Sequence, residues 1–300
     1  MDLFPVAETE AQFERIAADE RVLRPAVDAL CRHLGLDGAV ERFADGSLPV
    51  YAVGARHVLK LFPAVYAGEV ATERDVLDAV AGRLPVATPE VLGAGEFGGW
   101  GYVHMSRLHG TSLVDVWPGL DGTGRRDVAR QVGEALAVLH TITPPVAHPA
   151  DWGAFVARQA AGCAARQEGR GLAPAWLEQI PDFLASVDLS DPDLVLTHTE
   201  VMSAHLLVRD GRLSGLVDFE PAMRAAREYE FVATGVFLTR GDGDANAALR
   251  AGYGREVDPR RVMAYALLHV YSNLPWYLRE VPTGATTLDG LAEHWFGPTG

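Results

Sequence analysis

Leu194-Val195-Leu196-Thr197-His198-Thr199-Glu200-Val201-Met202-Ser203-Ala204-His205-Leu206-Leu207-Val208 is the stretch around which the rest of the chain can be organised. It reads as an apolar strand, a polar loop and a second apolar strand. Asp210-Gly211 follows at once, a dipeptide that suits a tight hairpin turn. Folding about that turn lays Leu213 to Val217 beside Leu206 to Val208 and sets Asp218 at the same open end as His205. The pattern predicts that Glu200, His205 and Asp218 gather at strand ends, where carboxylates and an imidazole can hold a metal or move a proton. A plain hairpin with solvated polar ends has the same spacing, so both readings stay open on spacing alone.

Upstream lies a second concentration of charge. Of the 26 basic residues only Lys60 is a lysine, and it interrupts the apolar run Val58-Leu59-Lys60-Leu61-Phe62. On an exposed loop a lone lysine would be compositional drift. Inside a strand pattern it suggests a compact ammonium that a planar guanidinium could not replace. Val70, Glu73, Leu77 and Val80 follow at spacings that share one helical face, so Glu73 sits on an apolar stripe and needs a cation. Lys60 is the natural partner. A Glu73 at the stripe's edge, merely solvated, is the other reading.

These two concentrations sit in different kinds of sequence. Residues 11–36 read as one or two helices, then strands are predicted at 40–43, 50–53 and 57–62, with turns at Asp45-Gly46-Ser47 and Gly54. A helix is expected from Gly68 to Ala81, and further strand patterns at 90–93 and 100–105. From Ser112 onward the chain is mostly helical, over 125–139, 152–166, 176–187 and from Tyr229 to the end. The expected fold class is α+β, with residues 1–104 as a small β-rich N-terminal lobe, 105–111 as a connector and 112–300 as a larger helical lobe. Three hundred residues with 48% hydrophobic and 22% charged side chains suit two such lobes.

Composition excludes some partners. A formal charge of −14 argues against nucleic acid, whose phosphates need a basic face. No apolar run approaches the length of a membrane span, and residues 1–10 carry acids without the basic start of a secretory leader. Cys31 and Cys163 lack metal-ligand spacing, which suits a reduced, cytoplasmic setting. The six tryptophans read as core, and Trp276 with Tyr271 and Tyr277 as core before acceptor wall. Glu228, Glu230, Asp242 and Asp244 read as a solvated charged face.

Five blocks in order, Lys60, Glu73, the connector Met105-Ser106-Arg107-Leu108-His109-Gly110-Thr111-Ser112-Leu113, the helix ending in Leu139-His140, and residues 198–220, resemble the aminoglycoside phosphotransferases. The wider relatives, the choline- and homoserine-kinase-like proteins, share the resemblance, which spans about residues 40 to 235. The hygromycin phosphotransferases look closest, from the wording at Lys60-Leu61-Phe62 and Met105 to Gly110. The resemblance implies a protein-kinase-like two-lobed fold, ATP or GTP with Mg2+, and a small-molecule hydroxyl acceptor, an antibiotic in the leading reading. It further implies that Lys60 contacts the phosphates and Glu73 orients it, that Gly46 and Ser47 cover the phosphates, and that Met105, Ser106 and Arg107 offer backbone groups to the base. Asp218 would bind the metal.

The catalytic loop departs from the family pattern. The family reads His-Gly-Asp, four residues, then Asn; here His198-Thr199-Glu200 is followed after four residues by His205. Glu200 then stands as the base, His198 opens the loop, and His205 takes the second metal position, where imidazole is a poorer magnesium ligand than an amide oxygen. Three functions share these residues: an antibiotic kinase, a metabolite kinase acting on an amino alcohol, and a nucleotide-binding pseudokinase.

Overall fold

The computed structural model describes residues 3–190 and 192–297. The chain separates into a β-rich unit, made of residues up to Gly82, Ala87–His109 and Val217–Pro221, and a helical unit made of Arg83–Val86, Gly110–Leu216 and the chain from Ala222 onward.

The β-rich unit opens with helices α1 (Glu10–Glu14) and α2 (Glu20–His33), then strands β1 (Val40–Arg42), β2 (Val50–Val53) and β3 (His57–Phe62), helix α3 (Glu69–Val80), and strands β4 (Val91–Phe97) and β5 (Trp100–Ser106). The five strands form one sheet in the order β1-β2-β3-β5-β4, with every neighbouring pair antiparallel. Strand β3 is therefore the middle strand, and Leu59, Leu61 and Phe62 on it are fully buried. Alternation along a strand puts Lys60 and Phe62 on one face and Leu59 and Leu61 on the other. Trp100, at the start of β5, is stacked on Phe4 at 4.9 Å and donates its indole N–H to Pro5 O.

The helical unit runs β6 (Thr111–Ser112), α4 (Leu113–Val116), α5 (Gly122–Leu139), α6 (Trp152–Gly169), α7 (Pro174–Leu177), α8 (Ile180–Ser186), β7 (Leu194–Thr197), β8 (Leu206–Arg209), β9 (Arg212–Leu216), β10 (Met223–Ala226), α9 (Arg227–Ala233), α10 (Gly243–Tyr253), α11 (Pro259–Leu268), α12 (Leu274–Glu280) and α13 (Leu288–Phe296). Helix α5 packs on α10 at backbone distance. A Cβ on Gly133 would lie 2.0 Å from Leu249 O, and one on Gly252 would lie 2.1 Å from Arg130 O, so each helix needs a glycine facing the other. No helix among the described residues is long and apolar enough to cross a membrane.

Several local expectations change. The helix expected over 176–187 is two short ones, because Pro181 near the start of α8 has no N–H to continue a preceding helix. Strand β10, unmarked in the sequence, pairs antiparallel with β7 from Met223↔Thr197 to Ala226↔Leu194. The helix expected from Tyr229 onward is broken at the left-handed Arg240 and Gly254 and before Pro259 and Pro275. Its first stretch passes from α9 into a wide π-helical turn over Thr234–Thr239.

Candidate functional site

In the β-rich unit the chemistry collects on Lys60. Its ammonium lies 3.1 Å from Glu73 Oε2 on α3, and 2.5 Å from both Asp218 Oδ1 and Glu220 Oε2 on the segment that rejoins this unit after β9. Lys60 is 3% exposed and Glu73 1%. The pair read from the helical stripe is thus present, and two more carboxylates complete the shell. One positive charge among three acids leaves an excess of negative charge. Burial works against the Lys60 ammonium, but Glu73, Asp218 and Glu220 outweigh it and hold its pKa well above the ordinary lysine value. Burial pushes the Glu220 carboxyl well above the usual range; Lys60 opposes that, and Asp218 and Glu73 add to it. Carboxylate oxygens of Glu73, Asp218 and Glu220 lie within 4.8 Å of one another, a hard-oxygen set of the kind magnesium accepts.

Glu220 was missed in the sequence. Its only signal was an acid two residues beyond Asp218, where the strand pattern had already ended. Asp218 itself has φ +78°, in the left-handed region that aspartate tolerates better than most side chains.

Gly46 (φ +116°) and Ser47 lie on the exposed link between β1 and β2. Met105 and Ser106 end β5, and Arg107 follows it. Here the sheet has claims of its own: Ser106 N–H donates to Glu90 O at 2.9 Å and Arg107 N–H to Arg56 O at 2.8 Å. The Arg107 guanidinium donates to Gly54 O and lies over the Phe43 ring. These two amide donors serve the sheet, so any base edge they meet must use carbonyls or the chain just beyond.

In the helical unit, β7 delivers His198, Thr199 and Glu200, and the β8–β9 hairpin pairs Arg209 with Arg212 and Val208 with Leu213 as the turn predicts, before a bulge shifts the register by one and sets Leu206 opposite Leu216. The loop between them is held by its backbone. Glu230, on α9 and fully buried, accepts the N–H of His198 at 2.6 Å and of Thr199 at 3.1 Å. The expectation that Glu228 and Glu230 lie on a solvated face is therefore corrected: both are buried, and Glu230 is spent on two amide donors that would otherwise face the core unsatisfied. Thr199 sits at φ +71°, a conformation that costs a β-branched residue on the order of 1–3 kcal/mol and that this double bond helps to hold. His140, the last residue of the α5 block, places Nε2 3.7 Å from Glu230 Oε2, while its Nδ1 meets Tyr253 OH at 2.8 Å.

Glu200 is clamped between the two histidines of the loop. His198 Nδ1 accepts the Glu200 N–H at 3.3 Å, so the proton of that neutral ring is on Nε2. His205 Nδ1 donates to Glu200 O at 2.8 Å, which leaves the lone pair on its Nε2. His205 thus has a positioning task besides any ligand role.

Beside Glu200 lies a cavity of about 120 Å³, walled by Met202, Phe237, Tyr271, Tyr277 and His269. The π-helical turn supplies Phe237, whose carbonyl also accepts the Ser203 hydroxyl. Tyr271 and Tyr277, read first as core, stand at this wall; Tyr271 is 60% exposed. Trp276 is half-buried with its ring 5.3 Å from Phe237, whereas Trp100, Trp152 and Trp295 are buried as expected. Burial pushes the His269 imidazole down to about 4.

A model of the phosphotransferase enzyme family matches residues 39–265. No curated protein matches the sequence. Among solved structures, the GDP complex of wild-type aminoglycoside 2'-phosphotransferase-IIIa superposes with a TM-score of 0.68 at 18% identity, over 91% of this chain and 96% of its own. Macrolide 2'-phosphotransferase MphH from Brachybacterium faecium gives 0.62 at 23% identity, over 92% and 98%. A thermostable aminoglycoside phosphotransferase APH(4)-Ia in complex with ADP and hygromycin B gives 0.57 at 21%, over 80% and 87%. The likeness to these structures shows the fold, the mixed α+β architecture of kinase-like phosphotransferases.

Proposed function

The chain belongs to the phosphotransferase enzyme family and is a small-molecule phosphotransferase; we propose that it moves the terminal phosphate of ATP or GTP to a hydroxyl of a small sugar-containing antibiotic, and so inactivates it. What carries the reading is the buried Lys60 ammonium with Glu73, Asp218 and Glu220 around it. A compact cation on a rigid central strand suits phosphate oxygens, and hard carboxylates beside it suit magnesium. Bound nucleotide would supply the phosphoryl group, and magnesium would neutralise its charge. In this reading Lys60 holds phosphate oxygens with Glu73 as its fixed counter-ion, and Asp218 is the chief metal ligand, with His205 Nε2 a second. Gly46 and Ser47 cover the phosphates, and the chain at Met105 to Arg107 faces the base. Glu200 takes the proton of the acceptor hydroxyl, and His198 and His205 keep its backbone in place for that transfer. The antibiotics named for the structurally similar proteins support this acceptor class.

The test is nucleotide turnover by the purified chain, with ATP and with GTP, against a panel of sugar-containing antibiotics. The expected result is turnover that depends on an acceptor and yields a phosphorylated product. Nucleotide binding without transfer to any acceptor would overturn it. The imidazole at 205 favours a second reading, a nucleotide-binding protein that has lost transfer. Under that reading Glu200→Asp combined with His205→Asn gains transfer that the parent lacks.

A further inference from the structure

The pocket beside Glu200 has a composition that its owner's charge does not announce. The chain carries a formal charge of −14, yet among the residues that line this cavity Glu200 is the only carboxylate. Apart from Thr199 and His269, the remaining wall is thioether, aromatic ring and small aliphatic side chain, with Met202, Phe237, Tyr271 and Tyr277 giving most of it. His269 adds no charge, because burial keeps its ring neutral down to about pH 4. Burial likewise pushes the Tyr277 phenol up to about 12, so it stays protonated. A volume of about 120 Å³ is below the roughly 300–1,000 Å³ of sites that enclose a whole drug-sized ligand. The pocket therefore seats one ring or arm of an acceptor, the part that brings its hydroxyl to Glu200.

We infer that this arm has an apolar body and carries at most one positive charge, so that the acceptor is a neutral or singly cationic hydroxyl compound rather than a polycationic aminoglycoside. The inference rests on the proposed transfer to an acceptor hydroxyl at Glu200 and narrows its substrate class. An ammonium moved out of water needs a partner or costs several kcal/mol. One carboxylate can answer one ammonium, and a second or third on the same arm would meet rings and methyl groups. Aromatic faces instead reward a flat, partly deoxygenated ring, and can share one cation with Glu200 through their π faces. A cationic acceptor of high charge would ask for several acids around the pocket, and the acids near it in sequence are committed elsewhere: Glu230 to backbone N–H groups and Glu228 to Arg227.

Full-length protein with magnesium and either nucleotide tests this with three acceptor arms: uncharged deoxysugar glycosides, deoxysugar glycosides with one tertiary amine, and aminoglycosides with three or more ammoniums. The expected result is a higher kcat/KM for the first two arms. Tyr271→Ser, at a position 60% exposed, should raise KM for them by roughly three- to tenfold, as losing one aromatic contact does, and more than it lowers kcat. Phe237→Asp, which adds a second carboxylate, should move preference toward the aminoglycosides. Equal or better use of aminoglycosides by the parent, with Tyr271→Ser silent for every acceptor, overturns the inference while leaving phosphotransfer intact. If no acceptor is phosphorylated, the transfer reading falls by itself. Quenching of tryptophan fluorescence then reports binding directly: tighter retention of aminoglycosides, unaffected by Tyr271→Ser, overturns the pocket assignment, and tighter retention of the deoxysugar compounds, weakened by it, upholds it.

Discussion

In the β-rich unit Lys60 stands on the middle strand of a sheet, with three carboxylates on its ammonium. In the helical unit Glu200 stands on a loop whose backbone is held by a buried carboxylate and two imidazoles. The first arrangement balances charge against charge and depends on side-chain identity at each corner. The second spends its buried carboxylate, Glu230, on amide donors, and leaves Glu200, the proposed base, to be positioned indirectly. A substitution in the first should upset charge, and one in the second should upset position.

The largest effect is expected at Lys60. Lys60→Ala strands three acids without their cation, which should cost about 3–5 kcal/mol of stability together with nucleotide binding. Lys60→Arg should be nearly as harmful, because a planar fork cannot occupy the point at which three oxygens converge. Denaturant titration and nucleotide affinity on both variants measure this. An arginine variant that behaves like the parent would mean that only the charge matters.

Glu200→Ala comes next. Removing a positioned acid–base group typically costs about two to four powers of ten in rate. Nucleotide affinity should stay near parental, since the Lys60 cluster is untouched. A matching fall in nucleotide affinity would break the division between the two regions.

Glu230→Gln should have a smaller and more informative effect. The amide keeps one oxygen and turns an N–H toward a backbone N–H, so one of the two donors loses its partner, at about 1–3 kcal/mol. With Thr199 freed to relax from φ +71°, displacement of Glu200 should lower transfer by about a hundredfold. Glu230→Asp should recover part of the rate. A variant that loses stability but transfers at the parental rate would show that Glu230 serves only the core.

The last effect concerns pH. The His269 pKa is lowered from 6.5 to about 4 by burial, so the folded ring stays neutral while the unfolded one takes up a proton below 6.5. Its contribution is therefore full above pH 6.5 and is lost as pH falls toward 4, at up to about 1.4 kcal/mol per pH unit. Urea midpoints at several values between pH 7 and 4.5 should fall less steeply for His269→Gln than for the parent. Parallel slopes would remove His269 from the account.

The same contrast explains what could be read in advance. The Lys60–Glu73 pair was legible because both lie on periodic elements: strand alternation and the helical spacing from Val70 to Val80 assign faces before any fold is known. The β8–β9 pairing was legible next to its turn, where Asp210-Gly211 sets Arg209 opposite Arg212, but the bulge that moves Leu206 opposite Leu216 was not. Glu230 was not, since an acid in a run of mixed polar and apolar residues shows its burial only when its neighbours are packed. Nor was the clamp on Glu200: the substitution of His205 for an amide looked like damage to a metal ligand, whereas its Nδ1 serves the loop.

By itself the sequence determined the α+β class, the strand and helix faces, the lone lysine and its first partner, and the order of blocks that the family shares. These depend on contacts between residues close along the chain, or on composition. Only the tertiary structure decided that Val217–Pro221 groups with the β-rich unit and brings Asp218 and Glu220 onto Lys60. It likewise decided that β10 pairs with β7, and that Phe237, Tyr271 and Tyr277 meet beside Glu200. Those contacts join residues far apart in sequence, where no period carries from one partner to the other. Packing and the pairing of buried polar groups choose among the arrangements that local pattern leaves open.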